Sequence, residues 1–341
     1  MFVSVLASPV IWLVGVFELC NYDLQSPDVR TILVVVFLTS FGFAQAAQQP
    51  ASNVAIKPQL LWQKLEEIVR ETDRHLQGVM GVAILDLTSG EKFLLNGDEV
   101  FPQASSIKIC VLTELYRQNQ QGGRAHLADP YTVRAEDLVP DSDIMGGLTP
   151  GVTRVTNRDL ATMVVAVSDN SATNVLIDRV GMDNVNSLMD SLGLHNTHLR
   201  RKMMDLNAAK EGRENVSTPR EMMTLLEAIY RGRVLNPAMT ADLLKMLSTH
   251  KDSAFRRALP DNVRAADKPG ELEAVRNDSG IIYATNRPFI LCVMTTYLQR
   301  ERDGEQAISN IARAAWEMFE GLGRASEYGR VISPSNSANP N

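Results

Sequence analysis

The chain has 341 residues, 45% of them hydrophobic and 22% charged, which supplies ample apolar material for a core and excludes a disordered protein. Lys+Arg 34 against Asp+Glu 40 gives a formal net charge of −6, without the basic excess that a phosphate backbone demands, so nucleic acid is not an expected partner. The 5 histidines form no HExxH pattern and the 3 cysteines no CxxC pair, which leaves no support for a zinc site or a disulfide framework.

Two apolar stretches open the chain, Met1 to Cys20 and Thr31 to Ala44. The second is too short to span a bilayer comfortably and ends in Ala44-Gln45-Ala46, a small-x-small site at which a signal peptidase would cut. Export is therefore expected, to the periplasm or beyond, with a membrane anchor formed by Met1 to Cys20 as the alternative. Acidic residues separate the first stretch from the second, and a start at Val29 would give a compact leader with Arg30 beside the apolar run. Cys110 and Cys292 sit in apolar runs and read as buried free thiols.

After a polar spacer, Leu61, Leu65, Ile68 and Val69 recur at the spacing of an amphipathic helix over Leu60–Leu76. Val79–Leu87, the turn Thr88-Ser89-Gly90-Glu91 and Lys92–Leu95 predict an antiparallel hairpin. Helical patterns run from Ile107 to about Gly232, broken by polar loops. Strand-like runs follow at Ala265–Leu272, Asp278–Thr285 and Phe289–Tyr297, then a helix over Glu305–Leu322. This order implies an α/β (α+β) fold in which an antiparallel sheet is built from both chain ends, flanked by helices, with an all-helical subdomain between. The cleft between the two parts is the expected site. The organisation is a leader over 1–46, a spacer over 47–59, one catalytic domain over 60–325 and a disordered tail over 326–341.

Three segments carry chemistry. Phe101-Pro102-Gln103-Ala104-Ser105-Ser106-Ile107-Lys108 sets a serine and a lysine at i, i+3 where a loop becomes a helix, so both side chains share one face. A serine hydroxyl is a weak nucleophile until a base takes its proton, and an amine kept neutral by burial or by a cationic neighbour can do so. Alone, S-x-x-K is a common match and reads more readily as a helix start with a solvated lysine. Val167-Ser168-Asp169-Asn170-Ser171 and Lys268-Pro269-Gly270 follow in order, the second inside a predicted strand. The ordered set S-x-x-K, S-D-N and K-x-G resembles the class A β-lactamases of the penicillin-binding protein superfamily, over roughly Leu60 to Leu322.

That resemblance implies a serine hydrolase that opens β-lactam rings through an acyl-serine at Ser105, with Lys108 as proton acceptor or its electrostatic support. Ser168 would relay a proton to the leaving nitrogen, Asn170 would bind a substrate amide, and Lys268 would hold the local potential positive. The backbone N–H groups of Ser105 and Glu271 would form the oxyanion hole, with Gly270 beside them, and Asp169 would brace the loop. No cofactor is implied, and the partner would be a small β-lactam or peptidoglycan-like substrate met by a monomer.

The chain departs from the family in two places. Leu206-Asn207 matches a loop whose glutamate, three residues before the leucine, activates the deacylating water that Asn207 would hold; here that position is Met203, and a thioether is no base. Either deacylation is slow, or Asp205, Glu211 or Glu214 serves instead, or the Leu206-Asn207 match is misaligned. Pro269 replaces the hydroxyl residue that helps bind the substrate carboxylate, and Glu271 lies on the same strand face. Arg276 is the candidate to offset that repulsion and anchor substrate; its alternative is an ion pair with Glu271, Glu273 or Asp278. These departures keep two further classes open, a peptidoglycan-directed acyl transferase and a non-enzymatic sensor whose acyl-serine is an end state.

Overall fold

The computed structural model describes residues 56–331, and its centre is a five-stranded antiparallel sheet ordered β2-β1-β9-β8-β7. The strands are β1 (Val79–Asp86), β2 (Lys92–Leu95), β7 (Ala265–Leu272), β8 (Val275–Ile282) and β9 (Phe289–Thr296). Both chain ends thus contribute, as the sequence order predicts. β8 begins three residues before its predicted start, because the hairpin to β7 turns at Glu273 and Ala274 and pairs Leu272 with Val275.

Alternation explains why this sheet is covered on both faces. Met80, Val82 and Ile84 of β1, with Phe289, Leu291 and Val293 of β9, pack against α1 (Ile56–His75) and the helix that closes the fold, Glu301–Arg324. There Phe319 stacks on Phe289 at 4.2 Å between ring centroids and meets Trp62 edge-on at 5.5 Å. Ala83 and Leu85, with Ile290, Cys292 and Met294, face the other way into the helical part. Cys110 and Cys292 are both buried and free, and burial pushes each thiol up to about 12.

The helical part comprises α2 (Lys108–Gln121), α3 (Asn157–Ala166), α4 (Asn170–Val180), α5 (Met182–Ser191), α6 (Leu206–Lys210), α7 (Pro219–Tyr230) and α8 (Pro237–Leu247); α9 (Ala254–Ala258) packs on the sheet's other face with the closing helix Glu301–Arg324, which is α10. Helix starts in the helical part are set by local caps. Thr156 and Asp159 form a capping box for α3, Asp169 accepts from Ala172 N at the head of α4, and Thr218 with Pro219 opens α7. Two short pairs, β3 (Phe101–Pro102) with β6 (Val216–Ser217) and β4 (Pro130–Thr132) with β5 (Arg154–Thr156), were not predicted. Two or three residues are too few for an alternating pattern.

Some boundaries move. α1 takes in residues 56–59, expected as spacer, and Ala325 bridges Val331, so residues 326–331, expected in the tail, belong to the folded unit. The leader, its cleavage site, the start at Val29, the Met1–Cys20 anchor and the rest of the tail lie outside the described residues. Among the described residues no helix is long and apolar enough to cross a membrane.

One contact fixes the sheet to the helical part beside the expected nucleophile. Gly270 on β7 lies so close to the turn before α2 that a Cβ there would stand 2.6 Å from Gln103 O, 2.8 Å from Ser106 Oγ and 2.9 Å from Ser106 N. Ser106 Oγ donates to Lys268 O at 3.0 Å, tying the same two segments. Gly270→Ala must therefore push β7 off the turn. It is expected to cost about 1–3 kcal/mol and several degrees of Tm, as overpacking does. Calorimetry of both proteins checks this, and an unchanged Tm would show that the contact yields freely.

Candidate active site

Ser105 occupies a 3₁₀ turn, Ala104–Ile107, that runs directly into α2. In a 3₁₀ turn the side chains at i and i+3 eclipse, so Ser105 and Lys108 fall on one side even though Ser105 precedes the α-helix. Ala104 just before it has φ +48°, and Ser168 has φ +57°. Left-handed backbone at two non-glycine residues of one site costs about 1–3 kcal/mol each and persists only where surrounding contacts over-determine it.

Those contacts converge on Ser168. Lys108 Nζ donates to Ser168 O, to Ser168 Oγ at 3.0 Å and to Asn170 Oδ1 at 2.8 Å. From the sheet side, Lys268 Nζ donates to the same Ser168 Oγ at 3.0 Å and to Pro269 O at 3.0 Å. Ser168 Oγ thus accepts from both lysines where it lines the cleft. Asp169 faces away: its Oδ2 accepts from Ile144 N and Met145 N, bracing the opposite wall.

Burial governs the charge states. Lys108 is 0% exposed and Lys268 1%. Burial first, and then the charge of Lys268, hold Lys108 well below the ordinary ammonium range, while Asp169 and Asp141 oppose. Lys268 is lowered to about 8, by burial and then by Lys251, with Asp278, Asp267 and Glu271 opposing. Beneath Lys268 lies a buried cluster that the sequence did not disclose. Lys251 Nζ donates to Leu247 O at 2.7 Å and to Asp267 Oδ1 at 3.3 Å, while Asp278 Oδ2 accepts from Phe255 N at 3.1 Å. Burial, and then the charge of Asp267, push the Asp278 carboxyl well above the usual carboxylate range.

These groups border a cleft of about 660 Å³ lined by Ser105, Ser168, Asn170, Lys268, Pro269 and Glu271 among others. A second groove of similar volume, between α1 and α10, contains none of the expected chemistry. Of the predicted site residues, Ser105, Lys108, Ser168, Asn170, Lys268 and Glu271 come together, with Gly270 under them.

Two do not join them. Arg276, expected as an anchor, points to α10: its guanidinium donates to Glu305 at 3.0 Å and to Glu301, and to the carbonyls of Leu272 and Val275. It lies across the ladder from Glu271, yet two carboxylates on α10 hold its side chain. Asn207 is exposed on α6 and does not line the cleft.

The loop carrying Met203 is pinned at both ends. Asn215 Oδ1 accepts from Arg200 N and Arg201 N, and Arg201 pairs with Glu214 at 2.7 Å. Asn174, one turn into α4, accepts from Met203 N at 2.8 Å and donates to Met203 O at 3.1 Å, a clamp that sequence reading missed. The Met203 side chain is buried in the core cluster. The carboxylates considered as its replacement are engaged elsewhere: Asp205 caps α6, Glu211 pairs with Arg213, and Glu214 holds Arg201.

A family model described as the beta-lactamase enzyme family matches residues 60–319. Beta-lactamase SME-1 of Serratia marcescens is 28% identical over 260 residues, covering 72% of this chain and 85% of the relative. The carbapenem-hydrolyzing beta-lactamase KPC of Klebsiella oxytoca is 29% identical over 300 residues, covering 85% and 97%. Among solved structures, a beta-lactamase from Sphaerobacter thermophilus superposes with a TM-score of 0.69 at 34% identity, covering 75% of this chain and 97% of that one. PBP-A superposes with a TM-score of 0.69 at 25% identity over 76% and 96%, and a point mutant of it is known as an acyl-enzyme complex with penicillin G.

The pairing of two buried lysines has a measurable consequence. Lys268→Met removes a positive charge that disfavours protonation of Lys108, so the Lys108 amine should titrate at higher pH in the variant. NMR titration of lysines labelled at Cε reads this directly. An unchanged Lys108 titration would show that the two amines do not interact.

Proposed function

The chain belongs to the class A β-lactamase family of serine hydrolases, and from that premise we propose that it forms an acyl-serine at Ser105 with β-lactam-type amides and releases it slowly. The observation that carries this reading is the Ser168 hydroxyl, held 3.0 Å from both Lys108 Nζ and Lys268 Nζ in the cleft that Ser105 lines.

In the first step Lys108, once it has lost one of the three hydrogens it shares with Ser168 and Asn170, takes the Ser105 proton while Oγ bonds to the lactam carbonyl carbon. The oxyanion is met by the N–H groups of Ser105 and Glu271, on the two segments that Gly270 keeps close. As the C–N bond breaks, Ser168 gives its hydrogen to the leaving nitrogen and recovers one from Lys108, so the proton taken from Ser105 ends on the product amine. Lys268, still charged below about 8, supports the negative charge that develops. Asn170 orients a substrate amide beside Lys108.

Release requires water to attack the ester, and the usual base is replaced by Met203. Since Asp205, Glu211 and Glu214 are each bonded elsewhere, no carboxylate of this loop stands ready. The acyl-enzyme therefore persists, which places the protein nearer to penicillin-binding behaviour than to rapid hydrolysis. The apolar leader ending at Ala46 supports an exported enzyme.

Ser105→Ala should abolish labelling by a fluorescent penicillin, and retained labelling would put the nucleophile elsewhere. Lys108→Ala should slow acylation by about 10²–10⁴, the usual worth of general-base help. Met203→Glu returns a carboxylate to a loop position already clamped by Asn174, and should speed deacylation by up to about 10²–10⁴ if proton abstraction is what limits it. Decay of the acyl-enzyme mass after a short penicillin pulse measures this. Equal decay in a folded, equally acylated variant would mean that another residue already serves as base.

A further inference from the structure

Three features of the cleft wall concern the charge of the substrate. First, Pro269, at the position of the hydroxyl residue, has no donor to offer a carboxylate. Second, Arg276 is bonded to Glu301 and Glu305 and does not line the cleft, although its charge reaches Glu271 across the ladder. Third, Asp141, Asp143, Asp252 and Glu271 line the same cleft and are exposed. Asp252 is paired with Arg257, but among the described residues Asp141, Asp143 and Glu271 form no ion pair.

The cations of the cleft lie deeper and are already engaged. Lys268 uses two of its three donors on Ser168 Oγ and Pro269 O, and Lys251 two of its three on Leu247 O and Asp267. The floor is thus positive where the oxyanion forms, and the mouth is negative where the rest of the substrate sits. A carboxylate near Pro269 would face Glu271 with no donor between them.

Resting on the acyl-serine reading above, we propose that this site selects acyl donors whose leaving-nitrogen side carries an uncharged or cationic group rather than a carboxylate. Glu271 is the specificity-determining residue. It repels an anionic substituent beside the leaving nitrogen and attracts an ammonium.

The test compares three probes that share one acyl group: benzylpenicillin, its methyl ester and its cationic diethylaminoethyl ester. Second-order acylation rates come from intact-protein mass spectrometry, each divided by the compound's own reactivity toward hydroxide. At about 10 mM salt, where screening is weak, the order should be cationic ester, methyl ester, acid. One like-charge contact at a protein surface should slow the acid about 3- to 30-fold against the methyl ester. Glu271→Gln should shrink that ratio several-fold, and raising the salt to about 0.5 M should do the same to the wild type. An acid that acylates faster than the methyl ester, or a ratio that neither Glu271→Gln nor salt moves, overturns the inference while leaving the acyl-serine standing. Labelling by none of the three overturns the nucleophile assignment and this inference with it.

Discussion

Two lysine amines, Lys108 from the helical part and Lys268 from the sheet, meet at one serine hydroxyl with almost no access to water. Burying one ammonium is costly and burying two side by side more so, because each raises the potential at the other. The surroundings offset this in an ordered way. Asn170 Oδ1 and the Ser168 carbonyl accept from Lys108, Pro269 O accepts from Lys268, and Asp169, Asp141, Asp267 and Glu271 lie within electrostatic reach. What is not offset appears as lowered proton affinity, and that makes an amine into a base. The left-handed backbone at Ser168 and the close seat of Gly270 both serve to bring these two amines to one point from opposite sides of the cleft.

The departures from the family fall outside that centre. Met203 sits on the loop expected to supply the hydrolytic base, Pro269 and Glu271 line the cleft wall, and Arg276 clamps β8 to α10. The groups expected to carry acylation are thus kept together, and the substitutions fall on the loop and the wall to which the proposals above assign deacylation and substrate charge. One set of groups can be kept intact while the other drifts, because Asn174 holds the Met203 backbone through its peptide groups and is indifferent to the side chain there.

The sequence disclosed the parts whose chemistry is local. Ser105 and Lys108 are one turn apart, the hairpin over Val79–Leu95 announces itself by alternation and a Gly90 turn, and β7 was legible from end to end. It was silent where a partner lies far along the chain. The guanidinium of Arg276 chooses Glu301 and Glu305 over the nearer Glu271 and Glu273 because α10 crosses β8 there, a packing fact invisible in one dimension. The Lys251–Asp267 pair and the buried Asp278 escaped notice for the same reason: each reads as a surface charge until the strands that bury it are assembled. α8 and α9, after the last predicted helical run, were passed over although Asn236-Pro237 and Ser253 are ordinary helix starts.

The most direct measurement is the location of the covalent adduct. After brief exposure to benzylpenicillin and digestion with trypsin, fragmentation of the peptide Phe93–Lys108 distinguishes Ser105 from its neighbour Ser106, whose hydroxyl is buried against Lys268 O. The account predicts one penicilloyl group per chain, on Ser105, still present long after free penicillin is removed. An adduct on any other residue, or penicilloic acid released in many turnovers with no adduct at all, would contradict it.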